Sequence, residues 1–415
     1  MIGLVDGNNF FVSCERVFNP KLIGKPVAVL SNNDGCCVSR SNEFKALGIA
    51  MGTPYFQLRE REYPKGELIF LSSNFELYGD MSRRMISVLR EMAIEVEQYS
   101  IDEAFIYPPS NADLEKYGCE VRETVLKWVG LPCGVGFAQT KTLAKIANHI
   151  AKKLSSGVFV LDQDSTKILS DLSAGEVWGV GRRLTLKLKA EKIFTAKDLR
   201  DADDETLRRI GGITLLRTAQ ELRGISSYEE RDYDEDPESI TCSRTFGEQI
   251  TDKDSLMESI AVFTAQAAVK LRRHSMLASG CNVYAQLAIP GAAGRGGFLE
   301  RTVVFPRPTD ATNEMHAAIR PIAESLFING SRYRKSGITF FGLEKEGRAY
   351  QSDLFSMEKH EASKSYAAID KLNRSFGAKK VFSASEGIGP LKWQMKRDKI
   401  SKRATTDWRE LMTVK

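Results

Sequence analysis

The sequence predicts a multidomain α+β protein, and three observations lead there. A β-α-β-β-α-β order, the ferredoxin-like plan, runs through residues 1–165 once the stretch between about 20 and 73 is set aside. The same order returns between 240 and 343. Between the two, residues 229–238 (EERDYDEDPE) hold seven acids against one base, the composition of a solvated linker.

Each element has its own signal. Residues 1–6 (MIGLVD) are apolar and end in a carboxylate, which reads as a buried strand. Asn8 and Asn9 are candidate caps for a short helix through about Phe18. Residues 27–31 are β-prone and lie between Pro26 and the turn run Asn32-Asn33-Asp34-Gly35. Residues 42–48 form a short helix stopped by Gly48, and 74–92 are helical in pattern. Residues 95–99 and 103–107 are two strands joined by a tight turn at Ser100-Ile101-Asp102. A helix over 112–129, a strand over 133–138 and a helix over 140–154 complete the first order. Residues 166–226 read as short helices with glycine breaks. In the second order the strands fall near 240–249, 281–289, 298–305 and 334–343, with helices near 253–275 and 310–328 and a flexible loop at 291–297. The halves show no sequence repeat, and beyond 345 the chain turns polar and tail-like.

Composition narrows the class. The 415 residues exceed one ordinary domain and allow two to four. With 42% hydrophobic and 27% charged residues the chain can bury a real core, which excludes global disorder. No apolar run approaches the roughly 18 residues of a membrane span. The first residues offer no basic n-region and no small-residue cleavage site, so no signal peptide is expected. Seven cysteines, Cys36 and Cys37 adjacent and none in C-x-x-C spacing, argue against a disulfide framework or a zinc ribbon and fit a reducing cytoplasm. The four histidines, at 149, 274, 316 and 360, lack metal-ligand spacing. Lys plus Arg number 59 and Asp plus Glu 54, a net +5 that neither demands nor excludes nucleic acid. That total hides segregation: basic stripes at 141–153 and 182–192, and a net +5 in residues 392–415 alone.

The segments richest in chemistry are Leu4-Val5-Asp6-Gly7-Asn8-Asn9-Phe10-Phe11 and Tyr99-Ser100-Ile101-Asp102-Glu103-Ala104-Phe105. In each, carboxylates close an apolar strand. Burying an ionised carboxylate costs several kcal/mol unless something pairs with it. Three acids gathered together repel and raise each other's pKa, a problem that two divalent cations solve. Mg²⁺ takes oxygen ligands, and two ions about 3.5–4 Å apart can clamp both oxygens of an in-line phosphoryl displacement. Consecutive strand residues point to opposite faces, so Asp102 and Glu103 can share such a site only if the backbone turns there. Either segment alone reads as an ordinary strand-end turn; the ferredoxin-like order, which would set the two strand ends side by side, favours a metal site.

Here the sequence resembles a family. VDGNNFFVSCERVFNP, the SNNDGC turn, EFKALGI, YSIDEAF, GVGFAQTKTLAKIANHIAKK and the tail KWQMKR closely resemble the Y-family DNA polymerases, and within them the UmuC type that serves as catalytic subunit in bacterial translesion synthesis. The match runs nearly end to end. It implies a palm (1–20 and 74–165), fingers (21–73), a small helical thumb with a helix-hairpin-helix (166–228), the acidic linker (229–238), a little finger (239–345) and a tail (346–415). It implies that Asp6, Asp102 and Glu103, with the main-chain carbonyl of Gly7, hold two Mg²⁺ ions. One ion would lower the pKa of the primer 3′-hydroxyl, and the other would hold the triphosphate.

The same resemblance assigns a nucleotide pocket. Phe11 is the expected steric gate, whose ring under the deoxyribose leaves no room for a 2′-hydroxyl. Phe10 beside it is expected on the core side. Val38 and Ser39 match small residues that roof the new base pair. Lys45 and Lys152 match triphosphate-binding positions, and Asn42 stands where some relatives have tyrosine. Lys141, Lys145, Lys152 and Lys153 fall within thirteen residues with no acid between, an anion-facing stripe.

Gly179-Val180-Gly181 fits a hairpin whose amides press on a phosphate, followed by Arg182, Arg183, Lys187, Lys189 and Lys192. Arg244 and Arg332 or Arg334 are candidate duplex contacts of the second order. Gln351-Ser352-Asp353-Leu354-Phe355 has the form Q-x-x-L-F of a β sliding-clamp pentapeptide, Gln351 and Asp353 polar and Leu354-Phe355 the apolar anchor. By resemblance the basic tail binds a UmuD′ dimer, and activity also requires RecA. The expected function is error-prone, template-directed translesion synthesis in the SOS response. An idle DNA- and clamp-binding regulator is the alternative; its mark would be a missing metal carboxylate, and none is missing. A two-metal nuclease would degrade DNA without dNTPs.

Overall fold

β1 (Ile2–Gly7) is the strand around which the first part of the molecule is organised. In the computed structural model, which describes residues 1–59, 68–162, 165–228, 236–288, 297–345, 361–377, 379–389 and 391–411, β1 lies at the centre of a five-stranded sheet of order β5-β6-β1-β7-β8. Its neighbours are β6 (Glu103–Tyr107) and β7 (Cys133–Ala138), both antiparallel to it. β5 (Glu95–Gln98) pairs with β6, and β8 (Val158–Val160) lies parallel to β7 at the other edge.

Helices cover both faces, as strands buried on two sides require. α1 (Phe10–Phe18), α4 (Phe75–Met92) and α5 (Leu114–Val129) enclose one core that contains Val5, Phe10, Met81, Met85, Val121, Val125 and Phe137. α6 (Lys141–Ala151) covers the other face, where Leu4, Phe105 and Ala147 join the helical segment that follows. That segment contains α7 (Thr166–Asp171), α8 (Arg182–Ala190), α9 (Ala196–Asp201) and α10 (Asp204–Leu222), with Leu169, Leu188, Leu199 and Leu216 buried. Between α1 and α4 sits a small sheet of order β3-β2-β4, made by β2 (Val27–Leu30), β3 (Cys37–Arg40) and β4 (Ile69–Ser72). Two short helices, α2 (Asn42–Lys45) and α3 (Tyr55–Arg59), pack on it around Phe44 and Leu58.

The chain divides into two compact units, Met1–Tyr233 with Asp398–Lys415, and Asp234–Arg397. The second unit is a four-stranded antiparallel sheet of order β11-β10-β12-β9, formed by β9 (Ile240–Ile250), β10 (Met276–Leu287), β11 (Phe298–Thr309) and β12 (Tyr333–Lys345). α11 (Lys253–Arg273) and α12 (Thr312–Glu324) cover one face. The β-α-β-β-α-β order expected from sequence is present in both units. The sequence reading did not anticipate β3, β4 and β8, short strands whose partners are set by tertiary pairing.

The stretch beyond 360 is more ordered than a polar tail. α13 (Glu361–Phe376) is helical, and Asp370 forms a two-pronged ion pair with Arg272 of α11. Trp393 is buried edge-on against Phe263 in the second unit's core. From residue 398 on, the chain belongs to the first unit, where Lys399 and Ser72 exchange two hydrogen bonds, at 2.9 and 3.0 Å. A few buried anchors dock a segment whose composition is otherwise solvent-like. Residues 229–235 of the expected linker lie outside the described residues, as do the clamp-type residues Gln351, Asp353, Leu354 and Phe355. Among the described residues no helix is long and apolar enough to cross a membrane, and all seven cysteines are free thiols.

Candidate active site

Strand register brings the three acids to one edge. Asp6 stands directly opposite Glu103 in the β1–β6 pair, and the Gly7 N–H donates to the Asp102 carbonyl at 2.9 Å. The turn before β6 lets two consecutive acids serve the same end. The N–H groups of Tyr99 and Ser100 both donate to the Glu103 carbonyl, at 3.0 and 3.1 Å. The Ser100 hydroxyl accepts from the N–H groups of Asp102 and Glu103 and donates to Asp102 Oδ1 at 2.7 Å.

α6 supplies the counter-charge. Its close approach to the sheet needs Gly136, where an added Cβ would lie 2.1 Å from the Asn148 nitrogen. The Asn148 side-chain amide donates to the carbonyls of Leu4 and Gly134, at 3.0 and 2.8 Å, which pins the helix across β1 and β7. Three lysines of the basic stripe thereby reach the chain's own acids. Lys141 pairs with Glu97 at 2.5 Å, Lys145 with Glu103 at 2.8 Å and Lys152 with Asp6 at 2.6 Å. Lys153 is exposed. Lys145 also lies 4.3 Å from the Tyr99 ring centre and 5.4 Å from that of Trp178, whose indole N–H donates to the Tyr99 hydroxyl. Burial pushes the Asp6 carboxyl up to about 6; Lys152 opposes the shift, while Glu103 and Asp102 add to it. A cleft of about 530 Å³ opens beside these groups, lined by Asp6, Glu103, Lys145, Lys152 and Trp178.

Among the described residues no group of three or more Asp, Glu, His or Cys side chains is poised around one point as a finished metal cage. Asp6 and Glu103 instead hold lysine ammonium groups. The donor set is nonetheless all hard oxygen, burial and then the charges of Glu103 and Asp102 lift Asp6, and Asn8 Oδ1, two residues on, is buried without a hydrogen-bond partner. That chemistry fits an oxygen-preferring divalent cation, which would take over the lysines' neutralising role.

Asn9 adopts a left-handed backbone (φ 49°) at the start of α1 and donates its amide to Asn42 Oδ1 at 3.0 Å. Phe10 is buried in the core; Phe11 is half-buried and stacks on Tyr78, with ring centres 4.4 Å apart and planes 12° apart. Val38 is half-buried against the same core as Phe11, whereas Ser39 is turned inward, its hydroxyl 3.5 Å from the Val12 N–H. Alternation along β3 explains the split and puts Arg40 on the Val38 side. Burial holds Lys45 below the usual lysine range, with the charges of Arg40 and Lys152 adding to the effect. Arg40, Lys45 and Lys152 thus share one field near Asp6. Arg40 Nε is buried with no partner, and a second guanidinium nitrogen donates to the Ile49 carbonyl. Sequence reading missed Arg40. Its only signal was parity with Val38 on a short strand.

The hairpin residue Gly179 has φ 86°, a conformation that favours glycine, and Gly181 caps α8, leaving Arg182 exposed. What precedes the hairpin is a single 3₁₀ turn, Ala174–Glu176, rather than a full helix. A second glycine break, Gly212 at φ 69°, kinks α10, in keeping with the glycine-broken helices expected over 166–226.

In the second unit, Arg244 is exposed on β9 but pairs with the buried Ser336 and shares the parity of Ile240 and Cys242. It therefore leaves the sheet on the helix side, a correction to its expected place on a DNA-facing surface. Arg332 is exposed just before β12, and Arg334 is half-buried. The open face carries cross-strand polar pairs instead: Thr302 donates to Asn282 at 2.9 Å, and the Thr339 and Thr241 hydroxyls are 2.9 Å apart. Lys335 lies 5.8 Å from the Tyr284 ring on that face.

Comparison with known proteins agrees with this architecture. Residues 5–149 match the impB/mucB/samB family, 237–354 match that family's C-terminal domain, and 364–414 match a domain of unknown function (DUF4113). The chain is 39% identical to protein UmuC of Salmonella typhimurium over the whole of both chains. It is 34% identical to protein MucB of Escherichia coli over 99% of each. It is 32% identical to DNA polymerase IV 1 of Bacillus subtilis over 91% of each. Among solved structures it resembles a Y-family DNA polymerase chimera of Dbh and Dpo4, with a TM-score of 0.63 and 22% identity, covering 83% of this chain and all of that one. An insertion ternary complex of Dbh DNA polymerase gives a TM-score of 0.55 and 20% identity, with 83% and 100% covered. The chain belongs to the impB/mucB/samB family, the UmuC type of Y-family DNA polymerase.

Proposed function

We infer that the chain is an error-prone translesion DNA polymerase, adding deoxynucleotides to a primer 3′-hydroxyl under template direction. The observation that carries this is the strand register of Asp6 opposite Glu103, with Asp102 on the Gly7 amide, facing a field of Arg40, Lys45 and Lys152. Acids on one side and cations on the other are what a triphosphate and a divalent ion need together. Asp6, Asp102, Glu103 and the Gly7 carbonyl would hold Mg²⁺, which when bound activates the primer hydroxyl and neutralises charge on the phosphates. Lys45, Lys152 and Arg40 orient the triphosphate, so positioning supplies much of the acceleration. Phe11 faces the sugar as a steric gate on the Tyr78 ring. Val38 roofs the nascent pair, and a small residue there holds that pair loosely, which suits damaged templates.

DNA is gripped through phosphates by the Gly179–Arg182 hairpin and by the polar open face of the second sheet, with Arg332 at its rim. Partners are read from sequence: a UmuD′ dimer at the tail, RecA, and the β sliding clamp at Gln351–Phe355. The protein acts in the cytoplasm, in the SOS mutagenesis response. A primer-extension assay with Mg²⁺, dNTPs and these partners tests the reading. Slow, template-directed extension with early dissociation is expected. DNA binding with no extension under any partner combination would instead indicate an idle regulator, and degradation without dNTPs a nuclease.

A further inference from the structure

The steric gate stands at the end of a buried polar relay that begins in the C-terminal segment. Phe11 stacks on Tyr78, which is fully buried on α4. At the far end of that ring, the Tyr78 hydroxyl donates to Glu15 Oε1 at 2.7 Å. Ser401 donates to the same oxygen at 3.0 Å. The direction of the Ser401 proton is set by its other partner, since the Asn74 side-chain amide donates to Ser401 Oγ at 2.9 Å. Asn74 itself caps α4, accepting from the Leu77 N–H at 3.3 Å. Just before Ser401, Ile400 forms a parallel bridge with Ser72, the last residue of β4.

Glu15 is only 2% exposed, and no cation pairs with it among the described residues. Burial raises its pKa, and the hydrogen bonds from Tyr78 and Ser401 oppose that shift. A buried carboxylate with two hydroxyl donors is costly to leave half-satisfied. Core packing confines the fully buried Tyr78 ring, and the bond at its hydroxyl end sets where that ring lies along the stack, and with it the floor under Phe11.

We propose that Ser401 is a positioning residue for sugar selection, acting through Glu15 and Tyr78 on Phe11. This rests on the reading of Phe11 as the gate. It gives a role within the active unit to one residue of the 364–414 stretch that matches a domain of unknown function. Lifting residues 398–401 from β4 relaxes sugar selection without touching an acid or a lysine of the site.

The test measures ribonucleotide against deoxynucleotide binding to the full-length protein on a primer–template with a 3′-dideoxy end, so that no turnover is required. The ratio favouring deoxynucleotide is expected to fall about fivefold in Ser401→Ala, the worth of one ordinary hydrogen bond. Tyr78→Phe, which keeps the stacked ring and loses only the hydroxyl, is expected to do the same. Ser401→Thr, which keeps a hydroxyl, restores the parent ratio. Phe11→Ala is the reference and is expected to lose more selection than either. If Phe11→Ala relaxes the ratio while Ser401→Ala and Tyr78→Phe keep it at the parent value, the relay is wrong and the gate stands. If Phe11→Ala leaves the ratio unchanged, gate and relay fall together.

Discussion

The first unit's five-stranded sheet and the second unit's four-stranded sheet are both built around a β-α-β-β-α-β order, yet they are furnished differently. In the first, charge collects at strand ends: Asp6, Asp102 and Glu103 sit at the β1–β6 edge, and α6 lays Lys145 and Lys152 across them. In the second, the open face carries uncharged pairs such as Thr302–Asn282 and Thr339–Thr241. The difference teaches that the architecture does not decide the chemistry. Strand ends can concentrate charge because backbone and side chains converge there, as reaction at a phosphorus centre requires. A flat face of hydroxyls and amides can follow a phosphate backbone without choosing a sequence.

If that division is right, changes in the first sheet alter the reaction and changes in the second alter the grip. The largest effects are expected at the site acids, and Asp6→Asn removes a charge that Lys152 and any divalent ion both use. Primer extension should fall by at least about a hundredfold, the scale of losing one electrostatic stabiliser. Next comes Lys152→Ala, which should raise the dNTP KM on the order of tenfold, as expected of one charge-assisted hydrogen bond. Lys335→Ala on the second sheet should leave kcat unchanged. It should lower the slope of log affinity for duplex against log salt by about one.

The smallest effect concerns stability and separates the buried Glu15 from the acids of the reaction site. Burial raises the Glu15 carboxyl above its ordinary 4.5. Between 4.5 and its raised value, the folded state holds a proton that the unfolded state has lost. The parent should therefore lose stability relative to Glu15→Gln as pH rises through that window, and the gap should be constant above it. Denaturant titrations of both proteins across that range would show it. Gln keeps a carbonyl oxygen for Tyr78 and Ser401, so the fold should tolerate the change.

Much of this was legible in the sequence. Both β-α-β-β-α-β orders could be read, because their apolar runs are long and their punctuation clear. The acids could be read because they flank apolar strands, Asp6 near the end of β1 and Asp102-Glu103 at the start of β6, where a carboxylate needs a reason. The lysine stripe could be read, but not its partners. Only the packing of α6 on β1 and β7, through Gly136 and Asn148, shows that three of those lysines face the chain's own acids. Arg40 was missed because one arginine after a serine looks solvated until strand parity aims it. Arg244 was misplaced for the same reason, since its face depends on pairing with Ser336 rather than on composition. The segment beyond 360 was read as a tail because polar composition dominates it. Single anchors, the buried Trp393 and the half-buried Ser401, carry no periodic signal.

The central claim is that the β1–β6 strand ends carry out the reaction and that the grip on DNA lies elsewhere. Asp102→Asn tests it most directly, because it removes one charge at the turn and leaves every proposed DNA contact in place. Duplex affinity and primer extension would be measured on the same preparation with Mg²⁺. The account expects parent-like affinity with extension abolished. Extension at the parent rate would contradict it.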